Sequence, residues 1–539
     1  MQPCGQLKLA QRYSRQTQAM NQAHLKKPSR NCHIWRLVKR GAIAFNAGME
    51  HAFDSLGAMQ ILCLVIALGL ALTFEFVNGF HDTANAVATV IYTNSLPPWV
   101  AVVWSGIWNL IGVLTSAGAV AFGIVSLLPV DLVIHVGSAA GFAMVFSLLI
   151  SAIVWNLGTW YLGLPASSSH TLIGSIMGVG MMNSLMHSTG FLGGINWAEA
   201  RKVGLTLLVS PVVGFVCAAI LLLLVKALVR KPELYSAPAP NKAPPWWIRG
   251  ILCLTCTGVS YAHGSNDGQK GMGLVMLILV GIIPGMYALD LSTSADSVGQ
   301  LLTMSQSATV VFEKHPAGAP LDAAAANQLL DSYLKSGGVF SEAVFAAAAG
   351  KNREITTALA GHRSLTEMSG AERGALRSAI YLTAETIGKL NRTHKLSSAE
   401  AGPLAKYKAA LDKTTKFIPL WVKVAVALAL GLGTMIGWKR IVVTVGEKIG
   451  KSHLTYAQGA CAELVAMMTI WLATGFGLPV STTHVLSSGV AGTMAANKSG
   501  LQMATLRNLL LAWVLTLPVC IFLGAMFFAG GLLLVAHLF

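Results

Sequence analysis

Nearly uncharged apolar stretches recur along the chain, each close to the roughly 20 residues that cross a bilayer. The clearest are Met59–Phe76, Trp99–Leu128, Ala139–Trp160, Val203–Val225, Gly271–Leu289, Ile418–Trp438, Ala460–Phe476 and Leu509–Leu534. A signal peptide explains one such stretch and not the series. Charged residues make up 11% of the chain, against about 25% in a typical soluble domain. So few charges cannot cover a watery surface, and lipid must be the solvent for much of the molecule. The net charge of +16 does not point to nucleic acid. The basic residues lie between apolar stretches and in the N-terminal tail, where membrane proteins keep them. The chain reads as an all-α polytopic protein of the cell membrane, multi-pass, with the lipid bilayer as a partner and no nucleic acid. Its eight cysteines show no disulfide pattern. Cys253 and Cys256 form a CxxC inside an apolar helix with no second pair, so packing is expected there, with no bound metal and no cofactor.

Two signatures each occur twice, the mark of an internal repeat. FVNGFHDTANA (76–86) lies over YAHGSNDGQKG (261–271) when Asp82 is placed on Asp267, and Gly79 then falls on Gly264. GLPASSSHTLIGSIMG (163–178) lies over GLPVSTTHVLSSGVAG (477–492) when His170 is placed on His484. The offsets are 185 and 314 residues, and their difference nearly equals the length of a polar, Ala-rich block at 290–417. The organisation that follows is a basic N-terminal extension (1–58), membrane repeat 1 (59–229), a Pro-rich cytoplasmic linker (230–249), the first part of repeat 2 (250–289), a soluble helical insert (290–417) and the second part of repeat 2 (418–539). Within the insert, Glu372–Lys395 reads as an amphipathic helix. The first 48 residues carry nine Lys or Arg and no acid. They read as a disordered tail or as sequence upstream of the true start, with Met49 or Met59 as candidate starts.

Membrane repeats of this kind are usual in secondary transporters, with the substrate site at their interface near the bilayer midplane. Lys226, Arg230, Lys231, Lys242 and Arg249 put the linker in the cytoplasm, and Lys439, Arg440, Lys448 and Lys451 mark a second cytoplasmic loop. About five crossings per half then invert the halves and place the insert outside. Arg201, Lys202 and the basic tail fall on the wrong side of that topology.

Asp82 and Asp267 follow long apolar stretches at equivalent repeat positions. An aspartate at the centre of a membrane helix costs about 2.5–3.5 kcal/mol on insertion scales, so a matched pair implies use. The glycines around each predict a broken helix, whose freed backbone groups are tolerated at depth only when buried or lining a wet cavity. Carboxylate and carbonyl oxygens suit a proton or a hard cation, with Asn78, Asn85, Asn266 and Gln269 as neutral partners. In the other motif, Pro165 and Pro479 suit the first turn of a short helix. Ser167, Ser168, Ser169, Ser481, Thr482 and Thr483 then place hydroxyls at the helix N-terminus, where backbone amides and the dipole attract an anion. Two such termini converging from opposite halves form an oxyanion site without a permanent positive charge. His170 and His484 either cap these hairpins or carry protons, and His81 and His263 are equally open. Glu75 and Glu463, inside apolar stretches, are candidate proton or cation ligands or buried structural partners. Lys270 either neutralises Asp267 or touches the anion. Nothing reads as catalytic, since Ser169 and His170 are neighbours without a third member. Two unlike signature copies also argue against the symmetric filter ring of a channel.

The segments FxNGFHDTANA and HGSNDGQKGMG, with the two GLPxSxxHxL hairpins, resemble the inorganic phosphate transporter (Pit) family, most of all its bacterial low-affinity, proton-coupled branch. The resemblance covers about residues 59–290 and 417–539. It implies two inverted repeats with broken helices, re-entrant helical hairpins and about ten to twelve spans. It also implies secondary active import of inorganic phosphate by proton symport, with sodium as the alternative coupling ion. Divalent metal–phosphate complexes and arsenate are further implied substrates, and a homodimer is a compatible assembly. On this reading Ser167, Ser168, Ser169, Ser481, Thr482, Thr483, Asn85 and Gln269 bind phosphate. Asp82, Asp267, Glu75, Glu463, Asn78 and Asn266 serve the cation or proton. The sequence departs from the family at Ser265, often Ala there, and at Lys270, where the first copy has Asn85. Residues 1–48 match nothing in it.

Overall fold

A computed structural model describes residues 57–82, 84–128, 137–187, 195–239, 242–315, 321–334 and 338–538, so the expectations for residues 1–56 lie outside the described part. Among the described residues regular structure is helical, apart from one bridge pair between Gly450 and Leu501. The first half runs α1 (Ala58–Asp82), α2 (Ala84–Tyr92), α3 (Pro98–Thr115), α4 (Ala119–Val125), α5 (Ala139–Tyr161), α6 (Ser168–Met186) and α7 (Trp197–Leu228). The second half opens with α8 (Trp246–Ile282) and the single turn α9 (Pro284–Tyr287). It continues through α10 (Ala295–Glu313), α11 (Ala323–Leu334), α12 (Ala343–Ala360), α13 (Gly370–Arg392) and α14 (Ser398–Thr415). It then resumes with α15 (Leu420–Met435), α16 (Lys439–Val443), α17 (Tyr456–Gly475), α18 (Thr482–Ala496) and α19 (Met503–Leu538).

Six helical stretches among the described residues are long and apolar enough to cross a membrane: Ala58–Tyr92, Pro98–Thr115, Ala139–Tyr161, Glu199–Leu228, Tyr456–Gly475 and Met503–Leu534. The pair α14 and α15, bent by 71°, would make a seventh. Ten to twelve is not reached on this measure. Helices α6, α8 and α18 carry the polar signature residues, and α15 has only 16 residues. Helices α7 and α19, which close the two halves, turn Leu208, Val212, Ile220, Leu224, Val514 and Phe522 outward. Such faces are unstable in water and ordinary in lipid.

Two elements differ from expectation. The stretch Trp99–Leu128 splits into α3 and α4, because Ser116 Oγ bonds back to Val113 O at 2.8 Å and Gly118 takes a left-handed φ of 92°. The second signature lies inside the unbroken α8, so its glycines do not break the helix. They admit neighbours instead. A side chain at Gly264 would press into the backbone of Asn109 on α3, and one at Gly271 into Glu75 on α1. The first signature straddles residue 83, which is not described.

Equivalent helices pack in exchanged pairs. Helix α1 lies on α15 while its counterpart α8 lies on α3, and α6 lies on α19 while its counterpart α18 lies on α7. Gly79 on α1 meets the backbone of Leu430 and Gly433 on α15, as Gly264 meets Asn109. Each half therefore completes its packing with the other, which brings both signatures and both hairpins to the middle of the molecule.

Helices α10–α14 surround an apolar core of their own that includes Phe312, Leu330, Phe345, Leu376, Leu390 and Tyr407. Ser369 and Glu372 form a capping box on α13. Asp290 N donates to Thr414 O at 2.8 Å, joining the two ends of the block. A segment that enters and leaves at one point lengthens a loop without pulling its flanking helices apart.

Candidate functional site

The two hairpins are terminated by the same local chemistry. Gly163 and Gly477 adopt φ of 68° and 66°, and Leu164 N and Leu478 N donate to Thr159 O and Ala473 O at 2.9 and 2.8 Å. This is the Schellman pattern, in which a left-handed glycine ends the helix. The chain then runs outside regular structure through Pro165 and Pro479. Both prolines precede the N-cap residue, which corrects their expected place in the first helical turn. Ser167 and Ser481 are the N-caps, accepting from His170 N at 3.3 Å and His484 N at 3.2 Å. Their oxygens therefore already serve the first turn.

The next hydroxyls reach across the molecule. Ser168 Oγ donates to Asp82 Oδ2 at 3.1 Å, and Thr483 Oγ1 donates to Asp82 Oδ1. One carboxylate thus binds the N-termini of both hairpin helices. Ser169 Oγ donates to Val480 O of the other hairpin at 3.0 Å. The rings of His170 and His484 face each other with centroids 4.6 Å apart, and Trp513 lies 4.2 Å from His484 on its other side. Thr482 Oγ1 is buried with no hydrogen-bond partner among the described residues.

Asp267 has different company. Lys270 Nζ lies 2.7 Å from its Oδ2, an ion pair between side chains 0% and 1% exposed. That contact lacks hydrogen-bond alignment, and among the described residues neither Asp267 oxygen has a hydrogen-bond partner. The ion pair with Asp267 is one of the two roles open to Lys270. His263 sits between the acids, its Nε2 3.5 Å from Asp267 Oδ2 and 3.9 Å from Asp82 Oδ2. Asn109 fixes its tautomer. Its Nδ2 donates to Ser105 O at 3.0 Å, so Oδ1 faces His263 Nδ1 at 2.6 Å and Nδ1 must be the donor. His263 Nε2 is left facing two carboxylates. On the far side, His81 Nδ1 is 3.5 Å from Asp82 Oδ1 while its Nε2 contacts Thr159 Oγ1 at 3.1 Å. Asp82, His263 and Asp267 are the group among the described residues whose ligand atoms, all within 4.8 Å of one another, match a cation site.

The remaining candidates are tied to the scaffold. Asn266 Nδ2 bonds Thr474 Oγ1 at 2.9 Å and Leu478 O at 3.2 Å, holding the second hairpin against α8. Gln269 bonds Val120 N at 2.8 Å and Ser265 O at 2.7 Å, which docks α4. Asn78 donates to Glu75 Oε2 at 3.4 Å. Glu463 accepts from Thr255 Oγ1 at 2.5 Å. Thr255 is about 18 Å along α8 from Asp267 at 1.5 Å per residue, so Glu463 is not brought to the acid pair. The side chain of Asn85 lies outside the described residues. Sequence reasoning missed Asn109 and Thr159, which orient the two histidines. Asn109 had a signal, a lone amide inside the apolar stretch Trp99–Leu128.

Comparison with known proteins decides the family. The phosphate transporter family is matched over residues 78–524. The chain belongs to that family. Within it, the low-affinity inorganic phosphate transporter PitA of Escherichia coli (strain K12) is 41% identical over 499 residues, covering 90% of this chain and 98% of the relative. The transporter PitB of the same organism is 41% identical over 513 residues, covering 90% and 99%. A solved structure described as the sodium-dependent phosphate transporter is 19% identical, with a TM-score of 0.47 over 87% of this family member and 98% of that chain.

Proposed function

We propose that the protein imports inorganic phosphate across the cell membrane by proton symport, its two halves acting as an inverted pair around the central cluster. The observation that carries this is Asp82, one carboxylate hydrogen-bonded to the N-termini of two helices from opposite halves. Helix N-termini attract oxyanions, and an anion arriving there competes directly with the carboxylate for the same hydroxyls. Substrate binding and the fate of the charge on Asp82 are therefore linked. A proton suits this task because it neutralises the carboxylate as phosphate takes over its donors. His263 offers a path, since Nδ1 is committed to Asn109 and only Nε2 can exchange a proton with Asp82 or Asp267. The relatives named PitA and PitB support the substrate, and divalent metal–phosphate complexes and arsenate share its tetrahedral oxygens. The cluster is closed to solvent, with Asp82, Asp267 and Lys270 at 2%, 1% and 0% exposure. Transport then requires the hairpins to part from the signature helices on one side at a time. The insert, from 290 to 417, is a soluble domain outside this cycle.

The test uses proteoliposomes loaded at pH 8, diluted into sodium-free buffer at pH 6, and assayed with labelled phosphate. Vesicles at pH 6 on both sides control for phosphate speciation. Accumulation only with the gradient is the expected result. Strict sodium dependence without response to the pH gradient would move the protein to sodium coupling.

A further inference from the structure

We propose that Lys270 is a tethered cation that takes the place of a mobile one beside Asp267, so that only Asp82 needs an exchangeable cation. The inference rests on reading the acid pair as the coupling centre. Lys270 falls on Asn85 when the signatures are superposed, so a neutral residue in one copy is matched by a positive one in the other. Its side chain is wholly buried, with Nζ 2.7 Å from Asp267 Oδ2. Among the described residues Asp267 receives no hydrogen bond from hydroxyl or backbone, whereas Asp82 receives one on each oxygen. The ammonium is thus the fixed charge nearest Asp267, with His263 Nε2 farther off at 3.5 Å.

Position and charge agree. Residues 267 and 270 are one turn apart on an unbroken helix, so the pair moves as one body with α8. Burial of a lysine is tolerated when it is paired, and removal of one partner strands the other. The two aspartates carry two negative charges and Lys270 one fixed positive charge, so the second positive charge is the exchangeable one, either a proton on His263 Nε2, which faces both carboxylates, or a mobile cation beside Asp82. An ammonium held by a covalent stem cannot be released to either side. A site filled this way therefore contributes no dependence on external sodium. Lys270 also lies within electrostatic reach of Glu75, whose Oε1 is buried without a hydrogen bond. It acts through Asp267 and is a positioning residue.

The test is the substitution Lys270→Asn, which gives the second copy the residue of the first. The purified full-length variant and wild type are melted in sodium chloride and in choline chloride at equal ionic strength, and both are assayed for phosphate uptake. Wild type should melt identically in the two salts. Lys270→Asn should melt lower in choline and recover saturably with sodium, and sodium should stimulate its uptake at least roughly tenfold, within the usual range of site-to-site coupling. Lys270→Arg, which keeps the charge, and the double variant Asp267→Asn/Lys270→Gln, which removes both charges, should be indifferent to sodium. Wild-type stability and uptake for Lys270→Asn in choline would overturn the proposal. So would sodium stabilisation of Lys270→Arg or of the double variant beyond any seen in wild type, and these two decide the matter if Lys270→Asn does not fold. Absence of phosphate uptake by wild type under every gradient would refute the transport reading instead. The melting measurements would still judge Lys270.

Discussion

Asp82 and Asp267 stand at equivalent positions of one repeated signature, and apart from His263, which lies between them, their surroundings differ. Asp82 is held by neutral hydroxyls on two other helices, Ser168 of α6 and Thr483 of α18. Asp267 is held by an ammonium on its own helix. Bonds that cross helix interfaces break when the helices separate, and a bond within one helix travels with it. The first acid is therefore sensitive to hairpin position, and the second is a rigid fixture of α8. The two carboxylates match in the sequence signature and differ in the partners that hold them.

The largest effect should follow Asp267→Asn, because it strands Lys270 in a buried site. Breaking a buried ion pair by removing one partner costs about 3–5 kcal/mol. The variant should lose both uptake and yield, with a lowered melting temperature, and adding Lys270→Gln should restore the melting temperature without restoring uptake. Asp82→Asn should separate the two properties. The amide keeps an acceptor for one hydroxyl, so the melting temperature should stay near wild type while labelled phosphate uptake falls at least roughly 100-fold, about 2.7 kcal/mol of lost transport competence. If the two variants destabilise the protein equally, the contrast between a positional sensor and a fixture fails.

Smaller losses should come from the hydroxyls. Ser168→Ala and Thr483→Ala each remove a hydrogen bond to a carboxylate, worth about 1.5–3 kcal/mol. Each should raise the phosphate concentration for half-maximal uptake and leave expression intact. Ser169→Ala, which removes a neutral contact with Val480 O, should cost less, about 0.5–1.5 kcal/mol. Equal effects at 168 and 169 would mean that the link to Asp82 carries no special weight.

The repeat itself was legible because it depends on residue identity at fixed offsets. The alignment of Asp82 with Asp267 and of His170 with His484 picked out segments that the fold packs together. Which group each hydroxyl serves was not legible. Ser168 and Ser169 are adjacent and chemically identical, yet one binds Asp82 and the other a backbone carbonyl, a difference set by helix orientation. The glycines of the second signature misled for a similar reason. Glycine in a membrane helix serves a break or a close approach, and only the position of α3 beside Gly264 distinguishes them. The exchanged packing of the halves is likewise a tertiary fact, invisible to periodicity.

The insert is the other feature that the second copy has and the first lacks, and the smallest predicted effect lies there. Helix α13 begins with Ser369, whose Oγ accepts from Glu372 N at 3.3 Å while Glu372 Oε2 accepts from Ser369 N at 2.6 Å. The Ser369 backbone N–H, followed by its hydroxyl, holds the Glu372 carboxyl below the usual range. A carboxyl with a depressed folded-state pKa stabilises above its unfolded value, about 4.3, and loses that contribution as pH falls through the folded value. Protection of the first amides of α13 against hydrogen exchange should therefore be full at pH 7 and decline in acid, after correction for intrinsic exchange. Glu372→Gln should abolish the decline, because an amide oxygen still accepts but does not titrate. Ser369→Ala should reduce protection several-fold at every pH, since the hydroxyl cap is lost. Uptake should be unchanged in both variants, as the capping box lies within the insert at the start of α13. A parallel fall in uptake would show that the insert takes part in transport, and the two copies would then differ in more than the company of their acids.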